Sequence, residues 1–138
     1  MNTMRCLACA VAIAAAACGE NVATPTSATT SEPTTILFSG TLQPRSSRFY
    51  SYSLTVAGPV TAMLASLERN GVPVSNVLEL GLGIPAGTGC AVSSAASTTT
   101  ALIPQLRQDA SIGTYCVRIA DIEGLPAAMN FTIRVIHP

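Results

Sequence analysis

The residues able to do chemistry are few, and the cysteines come first. Five are present, at positions 6, 9, 18, 90 and 116. Cys90 and Cys116 stand 26 positions apart, with an Ala/Ser/Thr-rich strand or loop following the first and the second within the strand 113–121. Closing that loop as a disulfide would add about 3.5 kcal/mol in the chain-entropy model. A zinc or redox site there would need further Cys or His ligands, or a Cys-x-x-Cys spacing that neither residue belongs to. Nucleophilic hydrolysis needs a histidine to take the proton of a serine. The single histidine is His137, one residue from the end, on a segment expected to fray. Of the carboxylates, Asp109 falls in a loop, while Asp121 and Glu123 close a strand; a glycosidase-like pair or a weak calcium site is conceivable. Solvated turn acids are the plainer reading. Gly81-Leu82-Gly83-Ile84-Pro85-Ala86 matches Gly-x-Gly-x-x-Ala, yet Gly87-Thr88-Gly89 follows where a dinucleotide site needs a helix amino terminus. No cofactor is implied. Asn130-Phe131-Thr132 is a glycosylation sequon lying within a strand.

Charge narrows the partners. Seven arginines balance seven acids and lysine is absent. A chain this neutral has no basic footprint with which to displace counterions from phosphates, which argues against a nucleic-acid partner. Hydrophobic residues make up 49% of the chain but aromatics only 4%, with no tryptophan, so the core must be built from Val, Ile and Leu.

The amino terminus reads as an address. Residues 1–5 form a short positive region and residues 6–17 an apolar run of 12, too short for a spanning helix. Residues 1–17 are therefore expected to be a signal peptide. Its end, Ala14-Ala15-Ala16-Ala17-Cys18-Gly19, resembles the bacterial lipobox, which implies lipidation of Cys18 and anchoring to a membrane surface through acyl chains. A plain signal-peptidase cut after Ala17 is the alternative. Cysteine parity favours the lipobox, because a modified Cys18 leaves an even pair in an oxidising compartment. Gly19 in the second position, in place of aspartate, points by the same resemblance to the outer membrane or cell surface. Residues 18–35 then form a Thr/Ser/Pro-rich tether with a root-mean-square span of about 22 Å.

From residue 36 to 138 the chain breaks into short alternating runs separated by Gly, Pro, Asn and Ser, and no 3.6-residue period persists. The expectation is an all-β, two-sheet antiparallel sandwich, jelly-roll-like, of seven to eight strands. In residues 48–56, Tyr50, Tyr52 and Leu54 should face inward and Phe49 outward. Val60, Ala62 and Leu64 continue the core, as do Leu78, Leu80, Leu82 and Ile84. Asn70-Gly71 is the strongest hairpin signal. Residues 85–89 form a loop, residues 101–106 an apolar strand end broken by Pro104, and residues 107–112 a polar connection. The central strand is 113–121, with Tyr115, Val117 and Ile119 inward. Cys116 then points outward, so that its disulfide is a surface staple from strand to loop. Phe131, Ile133 and Val135 complete the core. Arg48, Arg118, Arg134 and Glu79 are expected on outer faces as a polar ladder.

The succession Ser39-Gly40-Thr41-Leu42, Tyr50-Ser51-Tyr52-Ser53-Leu54, Gly58-Pro59-Val60-Thr61-Ala62, residues 113–119 and residues 130–135 resembles the bacterial pre-peptidase C-terminal domain. That resemblance implies a jelly-roll-like sandwich without catalytic residues of its own. Here the acidic pair often preceding the middle strand is replaced by Ser75-Asn76, and these 138 residues are not expected to include a peptidase. The reading reached is a non-enzymatic surface lipoprotein, a binding or envelope-accessory module with an envelope protein or polysaccharide as partner. Polysaccharide recognition by an outer sheet face or by end loops is the second reading, and a minimal hydrolase the third.

Overall fold

The computed structural model describes residues 31–138; the expected signal peptide, Cys18 and the tether as far as residue 30 lie outside the described residues. Among the described residues nine strands follow one another without a helix: β1 (Thr34–Leu42), β2 (Ser47–Leu54), β3 (Gly58–Arg69), β4 (Val72–Pro73), β5 (Leu78–Ala86), β6 (Gly89–Thr98), β7 (Leu106–Ala110), β8 (Gly113–Ala120) and β9 (Met129–His137). They form two antiparallel sheets, as the alternating runs predict. Sheet A has the order β1-β9-β3-β4, with β7 also paired to β3, and sheet B the order β2-β8-β5-β6.

Alternation builds the core that lies between the sheets. Leu42, Val60, Ala62, Leu64, Phe131, Ile133 and Val135 come from sheet A, and Tyr52, Leu54, Leu78, Leu80, Leu82, Val117 and Ile119 from sheet B; all are buried. Each fully buried aliphatic side chain is worth about 1.5–3 kcal/mol of transfer free energy. Asn70 (φ 53°) and Gly71 (φ 77°) both take the left-handed conformation that a tight two-residue hairpin demands, joining β3 to β4.

Several expectations need correction. Residues 107–112 are not a loop connection, because Leu106–Ala110 pairs with Gly58–Ala62 as a sheet-A edge. With the short β4, this raises the count to nine. Residues 85–89 shrink to the turn Gly87-Thr88, since Ala86 already pairs with Gly89. Ile84 keeps the parity of Leu82 but lies beyond the core, 56% exposed. β1 begins at Thr34, inside the span read as tether. Arg48 has the inward parity of Tyr50 and sits at the rim, its Nε donating to the Thr41 carbonyl at 3.0 Å, so it is not on an outer face.

Where Pro104 interrupts the ladder beside β3, Gln105 takes over. Its backbone N–H donates to the Ala62 carbonyl at 2.9 Å, and its side-chain Oε1 accepts from the Leu64 N–H at 2.7 Å. Its Nε2 donates to the Thr99 carbonyl. One amide side chain thus stands in for a missing stretch of strand, and Leu102 and Ile103 project from it into solvent.

Candidate functional site: the outer face of sheet A

Two bulges decide what the outer faces carry. In β3 the register with β9 shifts between Leu64 and Ser66, so Ala65 is the extra residue. Strict alternation from Val60, Ala62 and Leu64 would send Ser66 and Glu68 into the core. The bulge reverses the parity: Leu67 enters the core opposite Phe131, while Ser66 and Glu68 emerge beside Thr132 and Asn130. The alternation of β1 and β9 places Ser39 next to Thr132 and Thr41 next to Asn130. Two rows result, Ser39–Thr132–Ser66 and Thr41–Asn130–Glu68, running across three strands.

These rows are internally ordered. The Ser39 and Thr132 hydroxyls lie 2.9 Å apart, and the Thr41 hydroxyl donates to Asn130 Oδ1 at 2.8 Å. Beneath them, the Tyr50 hydroxyl donates to the Ser39 carbonyl at 3.0 Å, and the Tyr50 ring meets Phe131 edge-on. The rows line a shallow open depression of about 380 Å³. Among the described residues Glu68 has no ion-pair partner. The adjoining row, Leu37–Arg134–Met63, adds an aliphatic side chain left largely exposed and a guanidinium.

Sheet B shows the opposite treatment. Its bulge lies in β6, where Leu82 pairs with Ser94 and Gly83 with Val92, leaving Ser93 as the extra residue. The Ser93 hydroxyl donates to the Leu82 carbonyl at 3.2 Å. Past the bulge, Val92 and Cys90 turn to the outer face. Cys90 joins Cys116 there, with Cα atoms 5.9 Å apart. The disulfide is on the outer side as expected, but it ties strand to strand across β5, and Cys116 is wholly buried. The glycine pair that mimics a dinucleotide fingerprint has this packing role instead. A β-carbon on Gly83 would strike the Ala91 carbonyl oxygen, and one on Gly81 the methyls of Val92. The strand runs straight into a hairpin, with no helix to hold a pyrophosphate. Beyond the glycines, the half-buried Arg118 is ion-paired with Glu79.

The remaining sequence candidates are dispersed. Asp109 is opposite Pro59 on the β7 edge, and Glu123 is exposed in the β8–β9 turn. Asp121 is an organiser of loops: it accepts from the N–H groups of Arg45 at 2.6 Å, Gly124 at 2.8 Å and Leu125 at 2.7 Å. Slight desolvation opposes ionisation, but the N–H donors of Arg45, Leu125, Gly124 and Glu123 outweigh it and hold the carboxyl below the usual range. Among the described residues no three His, Cys, Asp or Glu side chains gather to hold a metal.

His137 does not fray. It ends β9 opposite Thr34, is 7% exposed and stacks on Tyr52 at 5.9 Å. Its Nδ1 lies 2.8 Å from the Pro138 carbonyl. Burial, reinforced by the neighbouring Tyr115, pushes the Tyr52 phenol up to about 12. Phe49 is outward as expected, 37% exposed, and stands beside Arg118 in the strand register.

Nothing in the sequence marks Ser39, Thr41, Ser66, Glu68 and Thr132 as a group. The polar alternation of β1 and β9 was a usable signal; the contribution of β3 was hidden by its bulge. No family model matches the chain, and no curated protein matches it in sequence. Among solved structures, it is similar to PliG of Salmonella Typhimurium, a periplasmic lysozyme inhibitor of g-type lysozyme. The identity is 12%, over 75% of this chain and 87% of that one, with a TM-score of 0.42.

Proposed function

We propose that the protein is an exported, lipid-anchored, non-enzymatic binding module of the bacterial envelope, held at the outer membrane or cell surface, whose partner meets the outer face of sheet A. The observation that carries this reading is the β3 bulge, which displays Ser66 and Glu68 beside an already ordered set of polar side chains on β1 and β9. On sheet B the corresponding area over β5 is taken up by β6 and the disulfide, and the depression of about 340 Å³ beside Phe49 lies at the β2 edge.

The absence of a catalytic role is supported by how the ionisable groups are employed. Asp121 holds loops together, Glu79 neutralises Arg118, and His137 is buried against Tyr52. The lipobox-like Ala17-Cys18-Gly19 and the resemblance to the pre-peptidase C-terminal domain support the anchor and the non-catalytic sandwich.

The test uses the full chain as bait for solubilised envelope, with Thr132→Arg blocking sheet A and Phe49→Arg altering sheet B. Capture that Thr132→Arg abolishes and Phe49→Arg preserves is expected; equal behaviour of the two variants, or no capture, overturns the binding face. The anchor is tested separately, because Cys18→Ala should move the protein from membranes to the soluble fraction.

A further inference from the structure

We infer that the two polar rows on sheet A form a saccharide site that takes neutral or amino-bearing sugars and discriminates against uronic acids. This rests on the reading of sheet A as the binding face and adds the ligand class.

Chemistry separates the possible ligands. A phosphate-bearing partner needs cations or a row of N–H donors; the two rows instead hold hydroxyls, one amide and one carboxylate, and the Arg134 guanidinium stands outside them in the adjoining row. A protein hot spot is centred on aromatic or arginine anchors in desolvated pockets; here the depression is shallow and its exposed side chains are polar. Sugars fit what remains. Their hydroxyls both donate and accept, as do those of Ser39, Ser66, Thr41 and Thr132, while Asn130 offers both functions on one planar group. Neighbouring strands are about 4.8 Å apart, and same-face residues along a strand repeat at about 6.8 Å. The two rows thus present a grid on the scale of one or two sugar rings.

Charge sets the preference. The Glu68 carboxylate accepts from hydroxyls or an ammonium group and repels another carboxylate at its own end of the grid, while the Arg134 guanidinium stands beyond the opposite end, past the Ser39–Thr132–Ser66 row. Leu37, in the adjoining row, offers aliphatic surface to the C–H face of a ring. Order is already present, because Ser39 is tied to Thr132 and Thr41 to Asn130, so little side-chain freedom is lost on binding.

The test is calorimetry on the full chain in detergent micelles, titrated with cellotetraose, a chitosan tetramer and tetragalacturonate. Binding of the first two, with the uronate at least about tenfold weaker, is expected. Thr132→Val and Asn130→Ala should each weaken cellotetraose about five- to tenfold at an unchanged melting temperature, and Glu68→Gln should abolish the discrimination against the uronate. Phe49→Ala on sheet B is the folded control and should bind as the parent does. No binding of any probe, equal affinity for the uronate, or indifference to Thr132→Val overturns the saccharide site. If the probes fail while envelope capture still depends on Thr132, the ligand class falls and the binding face stands; if capture is also indifferent, both fall.

Discussion

The outer faces of the two sheets start from the same raw material and end differently. Both are made of alternating strands rich in Ser, Thr and Gly, and each contains one bulge in one strand. In sheet A the extra residue, Ala65, turns Ser66 and Glu68 out to solvent and recruits Leu67 to the core. In sheet B the extra residue, Ser93, turns Cys90 and Val92 onto the outer face, where they pack over Gly83 and Gly81 and complete the disulfide. One bulge exposes polar groups and the other covers backbone. The difference lies in the neighbour: β9 presents Thr132 and Asn130 beside the first bulge, while β5 presents bare glycines beside the second. A bulge therefore changes only which side chains appear on a face, and the partner strand decides whether that face stays open.

Substitutions that close the space over β5 should have the largest effect. Gly83→Val puts a side chain where the Ala91 carbonyl lies and should cost about 4 kcal/mol, read as a lowered denaturant midpoint. A loss below about 1 kcal/mol would show that β6 does not lie on β5 in this way. Next, Cys90→Ala with Cys116→Ala should cost about 3.5 kcal/mol, with the unfolded state carrying much of the change. The smallest effects form a matched pair. Glu79→Gln leaves Arg118 half-buried without its counter-ion and should cost about 1 kcal/mol. Glu68→Gln, on the open face, should fall within about 0.5 kcal/mol of the parent. Equal costs for the two glutamates would remove the distinction between a closed and an open face.

Much of this fold is legible in the chain. Tyr50, Tyr52 and Leu54, the leucines of β5, and Val117 and Ile119 of β8 face the core as their period of two requires, and Asn70-Gly71 turns where its backbone freedom allows. The legibility fails where a neighbour overrides local pattern. Arg107 and Asp109 read as loop because they are polar, yet β7 is an edge strand whose alternate residues meet solvent. His137 reads as a frayed end, yet Tyr52 and the pairing with Thr34 bury it. Ile84 has the right parity for the core but no sheet opposite it to fill.

The candidate site was less legible still. Ser39, Thr41, Asn130 and Thr132 alternate visibly along their strands, whereas nothing in the β3 sequence announces that Ala65 is skipped. By itself, the sequence determined the class of fold, the inward faces of most strands and the pair of cysteines, since each follows from side-chain period, turn chemistry or parity within the chain. Only the tertiary structure decided the two bulges, and with them the open and closed faces. A bulge is a mismatch in register between two strands, and register is settled by which partner best buries Leu67 or accommodates Val92, residues whose neighbours lie far away in sequence.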